Sequence, residues 1–174
     1  ILAEDQFQIE RFARAGFVES DRVRILQMRL ADFRPPVNRK QLANRRSHQV
    51  TASFDPAADS WWEACTLGWS DRTRFHLIDK DSGAPWGQVT FWDMEPLASG
   101  WGLRCMGLYD LRIDDSKRRE GRATYLVGES LRQLAAKGTA LVEVQISQQD
   151  PATLTLFEKL GFRAVGEGLR LEKR

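Results

Sequence analysis

A chain of 174 residues is long enough for one domain with its own core, and its apolar (42%) and charged (29%) fractions are ordinary for a globular protein. The net charge of +2 gives no overall attraction to nucleic acid or membranes, and no apolar run approaches the length of a membrane span. Cys65 and Cys105 are too far apart to indicate a zinc site or a disulfide scaffold, so we expect no metal and a cytoplasmic setting.

The N-terminal third has the weaker periodicity. Apolar spacing predicts a helix over residues 4–15 and a strand over 23–30, and residues 39–46 and 59–67 are further helix candidates. Residues 34–46 hold several basic side chains and no acid. A solvated helix face explains this run better than a nucleic-acid site does, so we do not expect nucleic acid as a partner.

A short pattern occurs twice in the chain. Residues 12–17 read Phe-Ala-Arg-Ala-Gly-Phe and residues 157–162 read Phe-Glu-Lys-Leu-Gly-Phe, so a helix end, a Gly stop and a strand that begins with Phe recur. Coincidence and tandem duplication both explain this. Because the chain opens with Ile1 rather than Met, we expect residues 1–30 to be the tail of a preceding module or an N-terminal extension, and residues 31–174 to form the domain itself.

The second half of the chain is more regular. Strands are predicted at 74–80 and 86–94, joined by an Asp-Ser-Gly turn, and a third strand at 103–113. A helix from Gly121 to about Lys137 follows, then a strand at 141–146, a helix that starts at Asp150-Pro151, and a final strand pair at 162–165 and 169–173. This order predicts a mixed α/β fold with a crossover helix between neighbouring parallel strands.

The loop before the first of these helices has the strongest chemical character. Residues 118–123 read Arg-Arg-Glu-Gly-Arg-Ala. Gly121 lets the N–H groups of residues 119–124 approach a ligand at a helix N-terminus, which carries about half a positive charge and favours phosphate. Arg118, Arg119 and Arg122 would add charge. Taken alone, the loop is explained equally well as an exposed basic helix start.

Two motifs together resemble the GNAT superfamily of acyl-CoA N-acyltransferases. The spacing Arg-x-x-Gly-x-Ala at 118–123 resembles that family's acyl-CoA pyrophosphate loop. Residues 150–162, Asp-Pro-Ala-Thr-Leu-Thr-Leu-Phe-Glu-Lys-Leu-Gly-Phe, are similar to its second motif, Asn-x-x-Ala-x-x-Leu-Tyr-x-x-x-Gly-Phe. The resemblance covers residues 73–174 well and the first 70 residues poorly.

The resemblance implies a fold and a reaction. The fold would be a GNAT-like α/β (α+β) domain: a mixed, mostly antiparallel sheet of about six or seven strands with a splayed parallel central pair, flanked by about four helices. The reaction would transfer an acetyl or other acyl group from acetyl-CoA to a primary amine of an unidentified acceptor. The alternative is a non-catalytic acyl-CoA-binding or scaffolding domain of a tandem protein. A homodimer and packing against a tandem domain both stay open.

The resemblance also implies the cofactor site. Backbone groups of the strand before the loop would pair with the pantetheine arm, and the thioester would lie between that strand and strand 141–146, over the helix that carries Phe157. The expected cofactor-binding residues are Leu111, Arg112, Ile113, Arg118, Arg119, Glu120, Gly121, Arg122, Ala123, Thr124, Asp150 and Phe157. Phe157 stands where many members have a proton-donating Tyr, and Phe cannot donate; Tyr109 and water are the substitutes to consider.

Amine acylation also needs a route for the amine proton. A Lys-like amine has a pKa of about 10.4, so its deprotonation at pH 7 costs roughly 4–5 kcal/mol and a nearby base would help. Glu143 and Asp110 are the candidate catalytic bases, although a solvent-facing acid is the simpler explanation of each. A backbone N–H near Leu111 to Ile113 would hold the oxyanion.

The six tryptophans all lie within residues 61–101. Core packing is the simpler explanation, because aromatic side chains dominate protein cores. An aromatic wall beside the acceptor is the alternative, and the burial of these side chains distinguishes the two.

Overall fold

The computed structural model describes residues 1–31 and 33–173. The strands are β1 (Phe17–Arg29), β2 (His48–Phe54), β3 (Arg72–Asp79), β4 (Pro85–Asp93), β5 (Cys105–Ile113), β6 (Leu141–Ser147) and β7 (Arg163–Lys173). The helices are α1 (Gln6–Arg14), α2 (Arg39–Ser47), α3 (Trp61–Leu67), α4 (Glu95–Trp101), α5 (Arg122–Ala136) and α6 (Pro151–Lys159), and a 3-10 turn spans Asp115–Lys117. The strand order is β2-β3-β4-β5-β6-β1-β7, mostly antiparallel with one parallel pair, which confirms the expected fold class. Within the described residues, every helix is too short or too polar to cross a membrane.

The structure differs from the predicted elements in β1, β2, α4 and β7, and β1 (Phe17–Arg29) begins six residues before the strand predicted at 23–30. β2 and α4 were not predicted from the sequence. β2 has little apolar alternation, because His48 is its one buried residue, and its strand form comes from pairing along its whole length with β3. The predicted final strand pair is wrong, since β7 is a single strand that passes through Gly166 and Gly168.

The chain divides into two compact units, which are described separately. The larger unit, Arg29–Val142, contains the antiparallel strands β2 to β5 in sequence order. α5 contacts all four strands, and its apolar stripe includes Leu126 and Leu131, which are fully buried. The rings of Phe75 and Phe91 meet edge to face, 5.7 Å apart, in the middle of this core. This packing holds the end of β5 and the start of α5 in position.

The smaller unit combines the two ends of the chain, Ile1–Met28 and Glu143–Arg174. β1 and β7 pair antiparallel, from Phe17 opposite Lys173 to Gln27 opposite Arg163. α1 precedes β1 and α6 precedes β7, so each strand of this pair follows a helix of its own.

Candidate active site

The loop between β5 and α5 presents a set of unused amide groups. Arg119 and Gly121 both have left-handed backbone conformations, with φ of 66° and 76°. α5 begins at Arg122 without a side-chain cap, and the N–H groups of residues 119–124 donate to no acceptor in residues 1–31 and 33–173. Backbone N–H groups gathered around left-handed residues at a helix N-terminus form a concavity that favours anions. The loop therefore has the form that a phosphate group requires.

Two side chains of α2 hold the other side of this loop. Gln41 donates from Nε2 to the Gly121 carbonyl at 3.2 Å, and Asn44 donates from Nδ2 to the Glu120 carbonyl at 3.1 Å. Both side chains are buried. They satisfy carbonyl oxygens and leave the amide side of the turn unobstructed. The sequence offered no indication of this role, because polar residues in a basic helix also fit a solvated face.

The three arginines of the loop have different surroundings. Arg122 is buried, donates to the Lys117 carbonyl at 2.7 Å, and lies over the Trp86 ring with 4.8 Å between guanidinium carbon and ring centroid. Arg118 donates to the Ile113 carbonyl at 3.3 Å. These two arginines brace the loop from within. Arg119 is exposed and forms no ion pair with any described residue, so it is the arginine best placed to meet an anion.

β5 bulges just before the loop. Asp110 has φ of 54°, a left-handed conformation that is uncommon for a residue other than glycine. The pairing with β4 skips a position there, because Gln88 faces Arg112 while Thr90 faces Tyr109. A bulge releases backbone groups from the ladder and changes their direction. It falls where the sequence predicted the oxyanion-binding N–H.

The two candidate bases are both held by amide side chains. Asp110 accepts a hydrogen bond from Gln88 Nε2 at 2.5 Å and forms an ion pair with Arg112, so both of its oxygens already have donors. Glu143 is half-buried on β6 and accepts from Gln27 Nε2 at 2.8 Å. Their catalytic roles stay predictions.

The residues predicted from the second motif have local structural roles. Asp150 caps α6 by accepting from the Thr153 N–H at 3.0 Å and from the Thr153 hydroxyl at 2.7 Å, and these bonds lower the pKa of Asp150. Phe157 is fully buried, with its ring edge to face against Phe162 at 5.0 Å. Binding of a cofactor by Asp150 and Phe157 remains a prediction.

A polar cluster behind β5 was missed by sequence reasoning. The Tyr109 hydroxyl donates to Glu63 Oε1 at 2.8 Å, and Arg72 Nη1 lies 3.0 Å from the same oxygen. Burial and the Glu63 carboxylate raise the pKa of Tyr109 to about 12. Burial opposes the charged form of Glu63, but the Asp59 N–H, the Tyr109 hydroxyl and Arg72 together hold its pKa below the usual value. Tyr109 is thus a protonated phenol already committed to an acceptor.

The tryptophans do not form one buried cluster. Trp61 is 78% exposed and Trp69 62% exposed, so core packing does not account for them. Trp86 is half-buried and supports the loop beneath Arg122 and Lys117. The side chain of Trp62 lies outside the described residues.

Comparison with known proteins gives a family and a set of similar folds. The chain matches the family model "Acetyltransferase (GNAT) family" over residues 33–162. Similar structures include a tandem GNAT protein from the clavulanic acid biosynthesis pathway, 13% identical with a TM-score of 0.66, where the match covers 97% of this chain and 58% of that one. GCN5-related N-acetyltransferases from Sphaerobacter thermophilus (14% identity, 97% and 56% coverage, TM-score 0.61) and Kribbella flavida (13%, 94% and 62%, 0.59) are also similar.

These structures are too distant in sequence to show more than a common fold, and the chain spans a little over half of their length. No curated protein matches the chain. The family match covers most of the chain, from the segment before α2 to the residue before β7. The chain therefore belongs to the GNAT acetyltransferase family.

Proposed function

We propose that this domain transfers an acetyl group from acetyl-CoA to a primary amine. The observation that carries the proposal is the loop at 119–124, whose N–H groups donate to no acceptor among the described residues and whose carbonyl groups are held from behind by Gln41 and Asn44. Family membership supports acyl transfer in general, and the loop supports a donor that carries phosphates. A cytoplasmic setting is part of the proposal and rests on cysteine usage alone.

The loop residues would take the pyrophosphate. Residues 119–124 offer backbone donors and Arg119 offers a charge that no described residue neutralises, whereas Arg118 and Arg122 keep the loop in shape. A thioester brings an activated acyl carbonyl, and attack by a neutral amine forms the C–N bond as the thiolate leaves. A backbone N–H at the β5 bulge would hold the carbonyl oxygen as negative charge develops on it.

The amine proton needs an acceptor near the thioester. Asp110 on the bulged strand and Glu143 on β6 are the proposed acceptors of the amine proton, directly or through water. The buried Phe157 has no proton to give, and the Tyr109 hydroxyl is directed at Glu63. We therefore propose that the thiolate leaves without a tyrosine donor.

Gly121→Glu tests the loop, with Gly138→Glu as its control. Both glycines have positive φ, of 76° and 86°, so both variants carry a similar backbone strain. A Cβ on Gly121 would lie 3.0 Å from Gln41 Nε2 and 3.7 Å from Asn44 Nδ2, so the glutamate would displace the α2 side chains that hold the loop and add a negative charge beside it, whereas a Cβ on Gly138 meets nothing within 4 Å. Calorimetry with acetyl-CoA should show binding lost by at least about 100-fold in the first variant only, a difference of roughly 2.7 kcal/mol.

The assay also separates catalysis from binding alone. Turnover of labelled acetyl-CoA on a panel of primary amines supports the transferase. Binding of acetyl-CoA without turnover on any amine favours the non-catalytic alternative. Undiminished binding by the Gly121 variant contradicts the loop assignment itself.

A further inference from the structure

The two ends of the chain repeat the same structural elements at a constant offset in sequence. α1 (Gln6–Arg14) and α6 (Pro151–Lys159) each have nine residues, and each residue of α1 lies 145 positions before its counterpart in α6. Asp5 and Asp150 cap the two helices through the same contact, accepting from the N–H three residues on at 3.1 and 3.0 Å. α1 and α6 therefore correspond in their capping geometry as well as in their length.

The junctions that follow the two helices are also alike. Phe12 and Phe17 stack edge to face, with centroids 5.2 Å apart and an interplanar angle of 90°. Their counterparts Phe157 and Phe162 stack at 5.0 Å and 86°. The glycines at positions 16 and 161 end the helices with φ of 83° and 94°. A constant offset over helix cap, helix and junction indicates duplication rather than chance.

The strands after these junctions pair about a local two-fold axis. Val23 and Gly168 are counterparts and face each other in the ladder. Each pair on one side has a counterpart pair on the other. The counterpart of Val18 is Arg163 and that of Glu172 is Gln27, and both Val18–Glu172 and Gln27–Arg163 are paired in the ladder. Even the bulges correspond, because the register skips residue 20 on β1 and residue 165 on β7. The β1–β7 pair therefore has nearly identical halves.

The local two-fold symmetry extends to the segments that lie beside β1 and β7. Beside β1, Gln148 N–H donates to the Arg22 carbonyl at 2.8 Å where β6 ends; beside β7, the counterpart bond runs from Ala3 N–H to the Glu167 carbonyl at 2.9 Å. Ile1 exchanges two hydrogen bonds with Leu169, and residue 2 bridges residue 168. Ile1 and Leu2 thus lie beside β7 at the positions that correspond, under the same offset, to the last residues of β6.

Past this point the edge of β7 is bare in the described chain. The groups of Leu169 that meet Ile1 point away from β1, so the N–H and C=O groups of Leu171 and Lys173 point the same way. No strand of the described residues pairs with them. A strand edge with unpaired backbone groups is a template for another strand.

The apolar side of α1 is uncovered at the same end. Leu154, Phe157 and Phe162 are buried, but their counterparts Ile9, Phe12 and Phe17 are only half-buried. α1 has no buried residue at all. An amphipathic helix needs a partner for its apolar face, and α1 lacks the partner that α6 has.

We propose that a second module of the same fold docks on this surface, which consists of the outer edge of β7 at 169–173 and the apolar side of α1. The module precedes Ile1 in the same polypeptide, and its counterpart of β6 runs directly into Ile1. β1 and β7 then form a shared pair that joins the sheets of two modules by strand addition. A second copy of this chain does not suit the edge, because its own β6 already neighbours its own β1.

Hydrogen exchange tests the proposal on the 174-residue chain. The amides of Leu171, Lys173 and α1 should exchange at least about 100-fold faster than those of their counterparts Leu26, Met28 and α6. In an extended chain, residues 30–145 are placed directly before Ile1, so that the join to Ile1 reproduces the Gln145–Ile146 peptide. The slow-exchange pattern should then spread to Leu171, Lys173 and α1.

Two outcomes overturn the proposal. One is protection of α1 and Leu171 in the 174-residue chain, whether within a monomer or, by sedimentation, in a dimer that supplies a different occupant. The other is an extended chain that gains no protection at these amides. Neither outcome depends on acyl transfer, so failure of the docking proposal is distinguishable from failure of the proposed reaction.

A matched pair of variants gives a second measurement. Phe12→Ala should lower the melting temperature of the extended chain by about 10 °C, as for a buried Phe, and that of the 174-residue chain by much less. Phe7→Ala is the control on the same helix, because Phe7 is 68% exposed and its counterpart is Ala152. It should leave both chains unchanged. Equal effects of Phe12→Ala in the two chains contradict the docking.

Discussion

Glu63→Gln tests whether the cluster behind β5 holds α3 in place. The change keeps the shape of the side chain and removes its charge. Glu63 and Arg72 lie 3.0 Å apart with side chains only 13% and 9% exposed, so they form a buried pair. Breaking a buried pair from one side costs about 3–5 kcal/mol. Arg72 keeps its bond to the Pro56 carbonyl at 2.9 Å, which places the expected loss near the lower limit, at about 2–3 kcal/mol.

Thermal unfolding measures this loss. For a chain of this size, 1 kcal/mol corresponds to about 2–4 °C, so the melting temperature should fall by about 4–12 °C. Glu10→Gln is the control, because Glu10 pairs with Arg14 while their side chains are 66% and 82% exposed. That pair contributes less than about 1 kcal/mol. If the two variants melt at the same temperature, the cluster does not hold α3 as argued.

Two further predictions concern Tyr109 and Phe157. The pKa of Tyr109 is raised to about 12 in the folded chain and is about 10 in the unfolded chain, so the folded chain keeps the phenol proton to higher pH. The stability that this proton contributes is fully present below pH 10 and should be lost as the pH rises through 12. Denaturant unfolding between pH 9 and 12 measures this, and a Tyr109→Phe chain with the same slope contradicts it. Phe157→Tyr should cost about 1–3 kcal/mol, because the ring is fully buried and the new hydroxyl would lose its hydration there. An unchanged melting temperature with faster turnover would show instead that the hydroxyl finds a partner.

Elements with strong local signals could be predicted from the sequence. α5 and α6 match their predicted limits closely, because Gly138 ends one and Asp150-Pro151 begins the other. The β3–β4 hairpin was found for a similar reason, since a turn motif separates two apolar runs. β2 was missed because its strand form depends on β3, which the local pattern of residues 48–54 does not reveal.

The candidate site likewise has parts that could be predicted from the sequence and parts that could not. Its loop is contiguous, so the spacing of residues 118–123 was enough to predict it as a candidate. The inward orientation of the Arg122 side chain was not predictable, because it depends on the ring of Trp86, 36 positions earlier, and on the carbonyl of Lys117. Gln41 and Asn44 were missed for the same reason, and so was the contact of Glu63 with Tyr109. Local pattern identifies a backbone feature, whereas the side chains that hold it come from distant segments.

The repeat at the two ends shows what limits such reasoning. Only a six-residue pattern was visible in sequence, because positive φ favours Gly and a ring contact favours Phe at each junction, whereas the two helix faces carry different residues. The remaining equivalence lies in a cap, a ring contact, a bulge and a register, which several different sequences can produce. The family match ends at residue 162, before β7 begins, and it starts at residue 33, after β1 has ended. The segments outside the match are therefore the pair that we propose two modules share.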